Sequence, residues 1–247
     1  MASSSTQTDL QRYPRPSLAI DVALLTVVPG YRPHLGVVLV RHRNGDGGPG
    51  WCLPGTFVHE GERLADAVRR VLRDKAGLSG VDPRQLHVFD DPARDPRGWV
   101  VTVAHADTIR AEDVDTHRSS DHDVTVAPVE GTGASARAQL PDRQRTLPYD
   151  HAEILSVATE DLRRRYAEAP DPAGLLPEPF TLLQLRQVHE AVGGRPLQKD
   201  TFRRRMEPHL IATDDRTTGT TGRPAQLFRR ADSRAQSPEA PEGRAQP

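Results

Sequence analysis

Residues 53–78 read LPGTFVHEGERLADAVRRVLRDKAGL, and this stretch constrains the chain more than any other. From Glu62 to Ala76 the residues Leu64, Ala67, Val68, Val71 and Leu72 recur at the spacing that gathers apolar side chains on one side of a helix. Gly77 stands where a helix stops. Around this helix lie short β-branched runs: Ala19–Val28 and Leu35–Arg41 before it, His87–Asp90, Trp99–Ala106 and the alternating Val124–Val129 after it. Strands, one amphipathic helix, then more strands imply an α+β fold in which the helix lays its apolar side on a sheet.

Beyond the strands the pattern continues with different material. An acidic stretch, Asp107–Asp123, leads into Val124–Val129, and Glu130–Leu147 reads as a Gly/Ala/Arg/Pro-rich loop, long for a compact domain. A second helix is expected after Asp150 as N-cap with Glu153 three positions on, its side Ile154, Leu155, Ala158, Leu162 and Tyr166 turned inward. This helix should close a first domain over 18–170, with a Pro-rich linker at 171–179, a second domain at 180–230, and polar tails at 1–17 and 231–247 read as disordered.

The chain as a whole carries 33 basic and 34 acidic residues, so its overall charge selects no polyanion and no membrane surface. Residues 178–230 differ, with ten basic against six acidic. A local excess of this kind signals a partner. Phe180–Gly194 reads as a helix capped by Thr181, Leu197–Glu207 as a second helix with Phe202 and Met206 inward, and His209–Thr213 and Ala225–Arg229 as strands flanking a polar turn. Helix, turn, basic helix and hairpin outline a winged helix-turn-helix, in which the second helix enters the major groove of double-stranded DNA. Lys199, Arg203, Arg204 and Arg205 on that helix and Arg223 in the wing are the candidate DNA-binding residues. The competing readings are a solvated basic helix packed on the first domain, or a protein-docking module. His189 is expected at the surface or half buried, without a ligand role.

One cysteine, Cys52, excludes an intramolecular disulfide and a zinc cage. No apolar run approaches the ~20 residues that span a bilayer, and Met1–Ser17 lacks the apolar core of a secretory signal. A cytoplasmic location is the expectation.

The segment Leu53–Leu78 resembles the signature of the Nudix superfamily, with Gly55, Glu62, Arg70, Gly77 and Leu78 at matching positions and Asp74 replacing one glutamate. Val71 and Lys75 stand where the signature has glutamates. Residues 71, 74 and 75 are expected to share one helix face, where hydrolytic members present carboxylates to magnesium ions. The resemblance therefore implies a vestigial catalytic box (Gly55, Glu62, Arg70, Asp74), no metal site beyond the remnants Glu62 and Asp74, and weak or absent hydrolysis. Mg2+ would be needed only for residual activity. Asp91–Gly98 (DPARDPRG) resembles a loop of Nudix proteins that bind ADP-ribose-type ligands. Arg94 and Arg97 would fork onto a diphosphate, and Phe57 or Trp99 would stack on adenine. The alternative is a proline-stiffened surface turn with an internal Asp–Arg pair.

Together with LPYDHAEIL (147–155), GLLPEPFTLLQL (174–185), GRPLQKDTFRR (194–204) and GRPAQLF (222–228), these segments look like the Nudix-related transcriptional regulators of NAD metabolism and their sugar-catabolism relatives. The resemblance implies a Nudix α/β/α sandwich-type domain followed by a winged helix-turn-helix. It implies a homodimeric regulator, a repressor, that senses ADP-ribose or a related nucleotide and needs no cofactor. An active Nudix pyrophosphatase with an accessory winged module is the alternative.

Overall fold

The computed structural model describes residues 13–42, 50–117, 123–142, 144–217 and 224–231. The elements are, in order, β1 (Ser17–Val28), β2 (His34–His42), β3 (Gly50–Cys52), β4 (Gly55–Phe57), α1 (Leu64–Ala76), β5 (Arg84–Phe89), β6 (Val100–Thr108), α2 (Ala111–His117), β7 (Val124–Glu130) and β8 (Arg137–Ala138). Then follow α3 (His151–Glu168), β9 (Phe180–Thr181), α4 (Leu182–Gly193), α5 (Lys199–Met206), β10 (Leu210–Arg216) and β11 (Gln226–Arg230).

The first eight strands form one mixed sheet in the order β5-β6-β1-β2-β7-β8, with β3 added to β2 and β4 to β1. β1 runs parallel to β6 and antiparallel to β2 and β4. Because side chains alternate along a strand, β1 feeds two cores at once. Ile20, Val22 and Leu24 pack with Val68, Val71 and Leu72 of α1 on one side. Ala23 and Leu25 pack with Ile154, Leu155, Ala158 and Leu162 of α3 on the other. Asp21 is the charged interruption of this buried alternation.

α1 ends on Gly77 at φ 68°, the left-handed conformation that glycine adopts at little cost; its N–H donates to the Arg73 carbonyl and that of Leu78 to the Leu72 carbonyl, closing the last turn. α2 forms inside the acidic stretch, where the sequence reading had only a connection. The long loop after β7 holds a 3₁₀ turn at Gly133–Ser135 and the strand β8. Farther along, Gln144 accepts from the backbone N–H of Trp51 at 2.6 Å and donates to its carbonyl at 2.9 Å, so the loop seals β3. Asp150 does precede α3, but its carboxylate makes no cap hydrogen bond and the expected capping box is absent. The carboxylate is drawn away by an arginine described below.

α4 starts as expected, with Thr181 and Gln184 capping each other reciprocally. α5 buries Phe202 and Met206 against Phe180, Leu185 and Phe228. β9 joins the wing as a third strand, in the order β10-β11-β9. Val188 and Val192 of α4 belong to the α3-side core of the large sheet, so the second unit shares packing with the first.

The stretch expected as a linker is locked at its start. Asp171 is buried and accepts from Tyr166 Oη (2.5 Å), Leu175 N (3.0 Å), Leu176 N (2.9 Å) and Arg230 Nη1 (2.6 Å). Most of both expected tails, residues 1–12 and 232–247, lies outside the described residues. No helix among the described residues is long and apolar enough to cross a membrane.

Candidate functional site

A cleft of about 180 Å³ opens where β1, β4, the end of α1, the 91–98 loop and the start of α3 converge. Its floor is Asp21, which accepts from Thr102 Oγ1 (2.9 Å), faces His151 Nε2 (3.2 Å) and lies 3.4 Å from Arg94 Nη2. Burial alone would push the Asp21 carboxyl up; His151, then Thr102 and Arg94, more than offset this and hold it below its ordinary value. The backbone N–H of Leu53 donates to His151 Nδ1 at 3.2 Å, which leaves Nε2 to carry the proton toward Asp21. Gly55 is required here for space, since a Cβ at that position would sit 2.1 Å from Asp21 Oδ1. Cys52 also lines the cleft; burial pushes its thiol up to about 12, so it stays protonated.

The two loop arginines are placed differently from the expected diphosphate fork. Arg94 is buried and gives both Nε and Nη2 to Asp150, each at 2.6 Å. A guanidinium so enclosed secures the loop to the start of α3, and this is what takes Asp150 away from its capping role. Arg97 pairs with Asp95 inside the loop, Nε to Oδ1 at 2.9 Å and Nη2 to Oδ2 at 2.7 Å, as the alternative reading anticipated. Its guanidinium also lies over the rings of Phe57 (5.3 Å) and Tyr149 (5.0 Å) at the mouth of the cleft. Phe57 lines the cleft, whereas Trp99 is exposed and is not part of the lining. Stacking on a ligand from within the cleft is thus open to Phe57 and Tyr149.

The three signature positions on α1, three and four residues apart, meet different surroundings. Val71 is 1% exposed and belongs to the core, because the helix turns this side toward the sheet. Asp74 is exposed and pairs with Arg73 at 2.8 Å. Lys75 reaches across to the carbonyl of Gly55, donating at 2.6 Å, and lines the cleft. Glu62 accepts from Arg70 Nε (2.7 Å) and Nη2 (2.8 Å) and from the backbone N–H of His59 (2.9 Å); the Arg70 hydrogen bonds above all hold its carboxyl down at about 2. Arg70 further donates to Thr56 Oγ1 and the Phe57 carbonyl, so Glu62 and Arg70 staple the preceding loop to the helix. Counting six positions back from Glu62 puts the signature's first glycine on Thr56, one residue after Gly55. Such a set does not fit a magnesium ion: both carboxylates are bound to arginines, Glu62 to Arg70 and the exposed Asp74 to Arg73, and an ammonium lines the cleft. Among the described residues, no group of three or more His, Cys, Asp or Glu is placed to hold a metal.

On the second unit, Lys199, Arg203, Arg204 and Arg205 all lie exposed on α5. Arg203 is bound by Glu207, Nε to Oε2 at 2.8 Å and Nη2 to Oε1 at 2.9 Å. Arg223 lies outside the described residues. His189 is buried rather than at the surface, with its ring edge-on to Tyr166 (4.9 Å) and Phe202 (5.0 Å).

Comparison with known proteins places this geometry. The NUDIX domain family matches residues 21–146, and the NrtR DNA-binding winged helix domain matches residues 172–230. Over 221 residues the chain is 30% identical to the ADPR responsive transcriptional repressor NtrR of Acinetobacter baylyi, covering 88% of this chain and 83% of that one. The chain belongs to the NrtR family. Its fold is similar to that of Shewanella oneidensis NrtR complexed with a 27mer DNA, at TM-score 0.68 and 32% identity, covering 87% of this chain and 93% of that one. A MutT/nudix family protein from Enterococcus faecalis is also similar, at TM-score 0.66 and 26% identity over 90% of each chain.

Within this NrtR architecture, the site residues that sequence reasoning missed are Asp21, Tyr149, Asp150 and His151. The last three fall between the two matched domains. Two signals pointed to them: a carboxylate inside the apolar run AIDVALLTVV, and Tyr-Asp-His immediately ahead of an apolar helix.

Proposed function

We propose that this NrtR-family chain is a cytoplasmic, homodimeric transcriptional repressor. Its cleft takes ADP-ribose or a related nucleoside diphosphate, and α5 with its wing binds operator DNA. No cofactor is required, and the placement of Glu62, Asp74 and Lys75 argues against magnesium-assisted hydrolysis of the ligand.

The observation that carries the reading is α3. Its first residue, His151, lines the cleft with Tyr149, and Asp150 between them binds Arg94 of the cleft lining. Its last turn holds Tyr166, bonded to the Asp171 cluster and packed on His189, which in turn packs on Phe202 of the basic helix. Eighteen helical residues span roughly 27 Å at 1.5 Å per residue. A ligand that favours one setting of the helix start therefore biases the helix that carries the arginines, and across a dimer this changes the spacing of the two readers.

Gel shift with DNA from the chain's own upstream region, with and without ADP-ribose, tests the reading. A shift of about 5- to 150-fold in apparent Kd, the usual range of allosteric coupling, is expected. Equal retention across nucleotides removes the sensor half, and no retention under any condition removes the reader half. Arg204→Ala and Arg205→Ala should each weaken binding and lower the salt slope by about one. Arg203→Ala should do less, because Glu207 already engages that guanidinium.

A further inference from the structure

Lys75 is the member of the cleft's charged lining whose charge is left over. The other charges there are committed to one another: Asp21 to His151 and Arg94, Arg94 also to Asp150, and Arg97 to Asp95. Lys75 bonds to a neutral carbonyl, Gly55 O at 2.6 Å, and forms no ion pair among the described residues. An ammonium has three N–H donors, so the bond to Gly55 fixes its position and leaves two for a ligand. Its field is felt across the cleft: after burial, Lys75 is the next cause of the lowered pKa of His42.

We infer that Lys75 is the resident counter-charge for a diphosphate in this cleft, taking over by a covalently attached ammonium the neutralising role for which magnesium is needed in hydrolytic Nudix proteins. The inference rests on the ligand class proposed above and adds to it both a residue and a metal independence. An ammonium offsets phosphoryl charge, but it is not a Lewis acid and does not generate a hydroxide from bound water. The same substitution that holds the diphosphate therefore leaves it uncleaved, as a receptor requires.

Calorimetric titration of the full-length protein with ADP-ribose, in EDTA and in magnesium, tests this. The unaltered chain should bind equally in both buffers. Lys75→Met should weaken binding in EDTA by about 10- to 100-fold, the worth of one charge-assisted hydrogen bond. Lys75→Glu should weaken it further, an ordering by charge that a merely structural role would not produce. Lys75 is exposed at the end of α1, so equal thermal melts are expected for all three proteins. Binding by the unaltered chain that needs magnesium, or Lys75→Met binding as tightly as the unaltered chain, overturns the inference while leaving the effector standing. If ADP-ribose binds in neither buffer, the proposed effector falls. Inorganic pyrophosphate then decides separately: binding in EDTA that Lys75→Met abolishes supports Lys75, and binding that Lys75→Met leaves intact sinks it.

Discussion

A histidine and an aspartate meet at each end of α3, and the two couples are wired differently. At the cleft end His151 points its protonated Nε2 at the Asp21 carboxylate, which also collects Thr102 and Arg94. At the junction end His189 accepts from the backbone N–H of Asp171 at 3.3 Å, while the carboxylate of Asp171 is served by Tyr166, Arg230 and two backbone N–H groups. The titration behaviour follows. Asp21 is held below its ordinary value, whereas burial pushes Asp171 up in spite of its donors. His189, lacking a carboxylate acceptor and enclosed by two aromatic rings, is driven down to about 4 by burial and by the charge of Arg205. Residue type does not decide the electrostatics of a buried pair: both carboxylates accept hydrogen bonds, but Asp21 faces its histidine directly, whereas Asp171 meets His189 only through its backbone N–H and burial prevails there.

The largest effect is expected from breaking the cleft end. Asp21→Ala leaves Arg94 and His151 buried with one acceptor fewer, and urea unfolding should show a loss of about 3–5 kcal/mol. Acidification is the next test, and it should act at the junction. Because the folded-state pKa of His189 is lowered, its contribution is present above the ordinary value of 6.5 and is lost as the pH falls toward about 4. The shift corresponds to roughly 3 kcal/mol over that window. His189→Gln should flatten the dependence, and a urea midpoint in that variant that still falls as steeply would refute the assignment.

A smaller cost is expected from Asp171→Asn, about 1–3 kcal/mol: an amide oxygen in the Oδ1 place still accepts from Tyr166 and the Leu175 N–H, the Leu176 N–H and Arg230 lose their acceptor, and burial already disfavours the charge. If it cost as much as Asp21→Ala, the contrast between the two ends would be lost. Tyr166→Phe, which removes one donor to Asp171, should cost about 1 kcal/mol and reduce the response of DNA binding to ADP-ribose without abolishing DNA binding itself.

Periodicity and turn residues carried much of the architecture. The apolar spacing of Leu64–Ala76, the Gly77 stop, the Thr181–Gln184 cap and the inward pair Phe202 and Met206 are local or single-helix properties, and each appears in the structure where the residues placed it. The site was less legible. Arg94 and Arg97 were recognisable as cleft residues and an Asp–Arg pair inside the loop was foreseen, but Asp150, the distant partner of Arg94, was not, and a guanidinium without a known partner has no definite role. Asp74 and Lys75 differ from Val71 by only one turn of helix, yet Val71 faces the sheet while Lys75 reaches Gly55. Spacing alone cannot say which side of a helix a neighbouring strand will cover.

What this sequence determined by itself is the order of its main strands and helices, the basic charge of residues 178–230 and the loss of two signature glutamates, because these depend on residues close together in the chain. Only the tertiary structure decided which charges neutralise one another. Asp21 meets residues 94, 102 and 151, and Asp171 meets Arg230. Such pairings arise when sheet and helix burial bring distant segments into a medium where an unpaired charge costs several kcal/mol. The cleft, its leftover ammonium and the rigid junction are consequences of that packing.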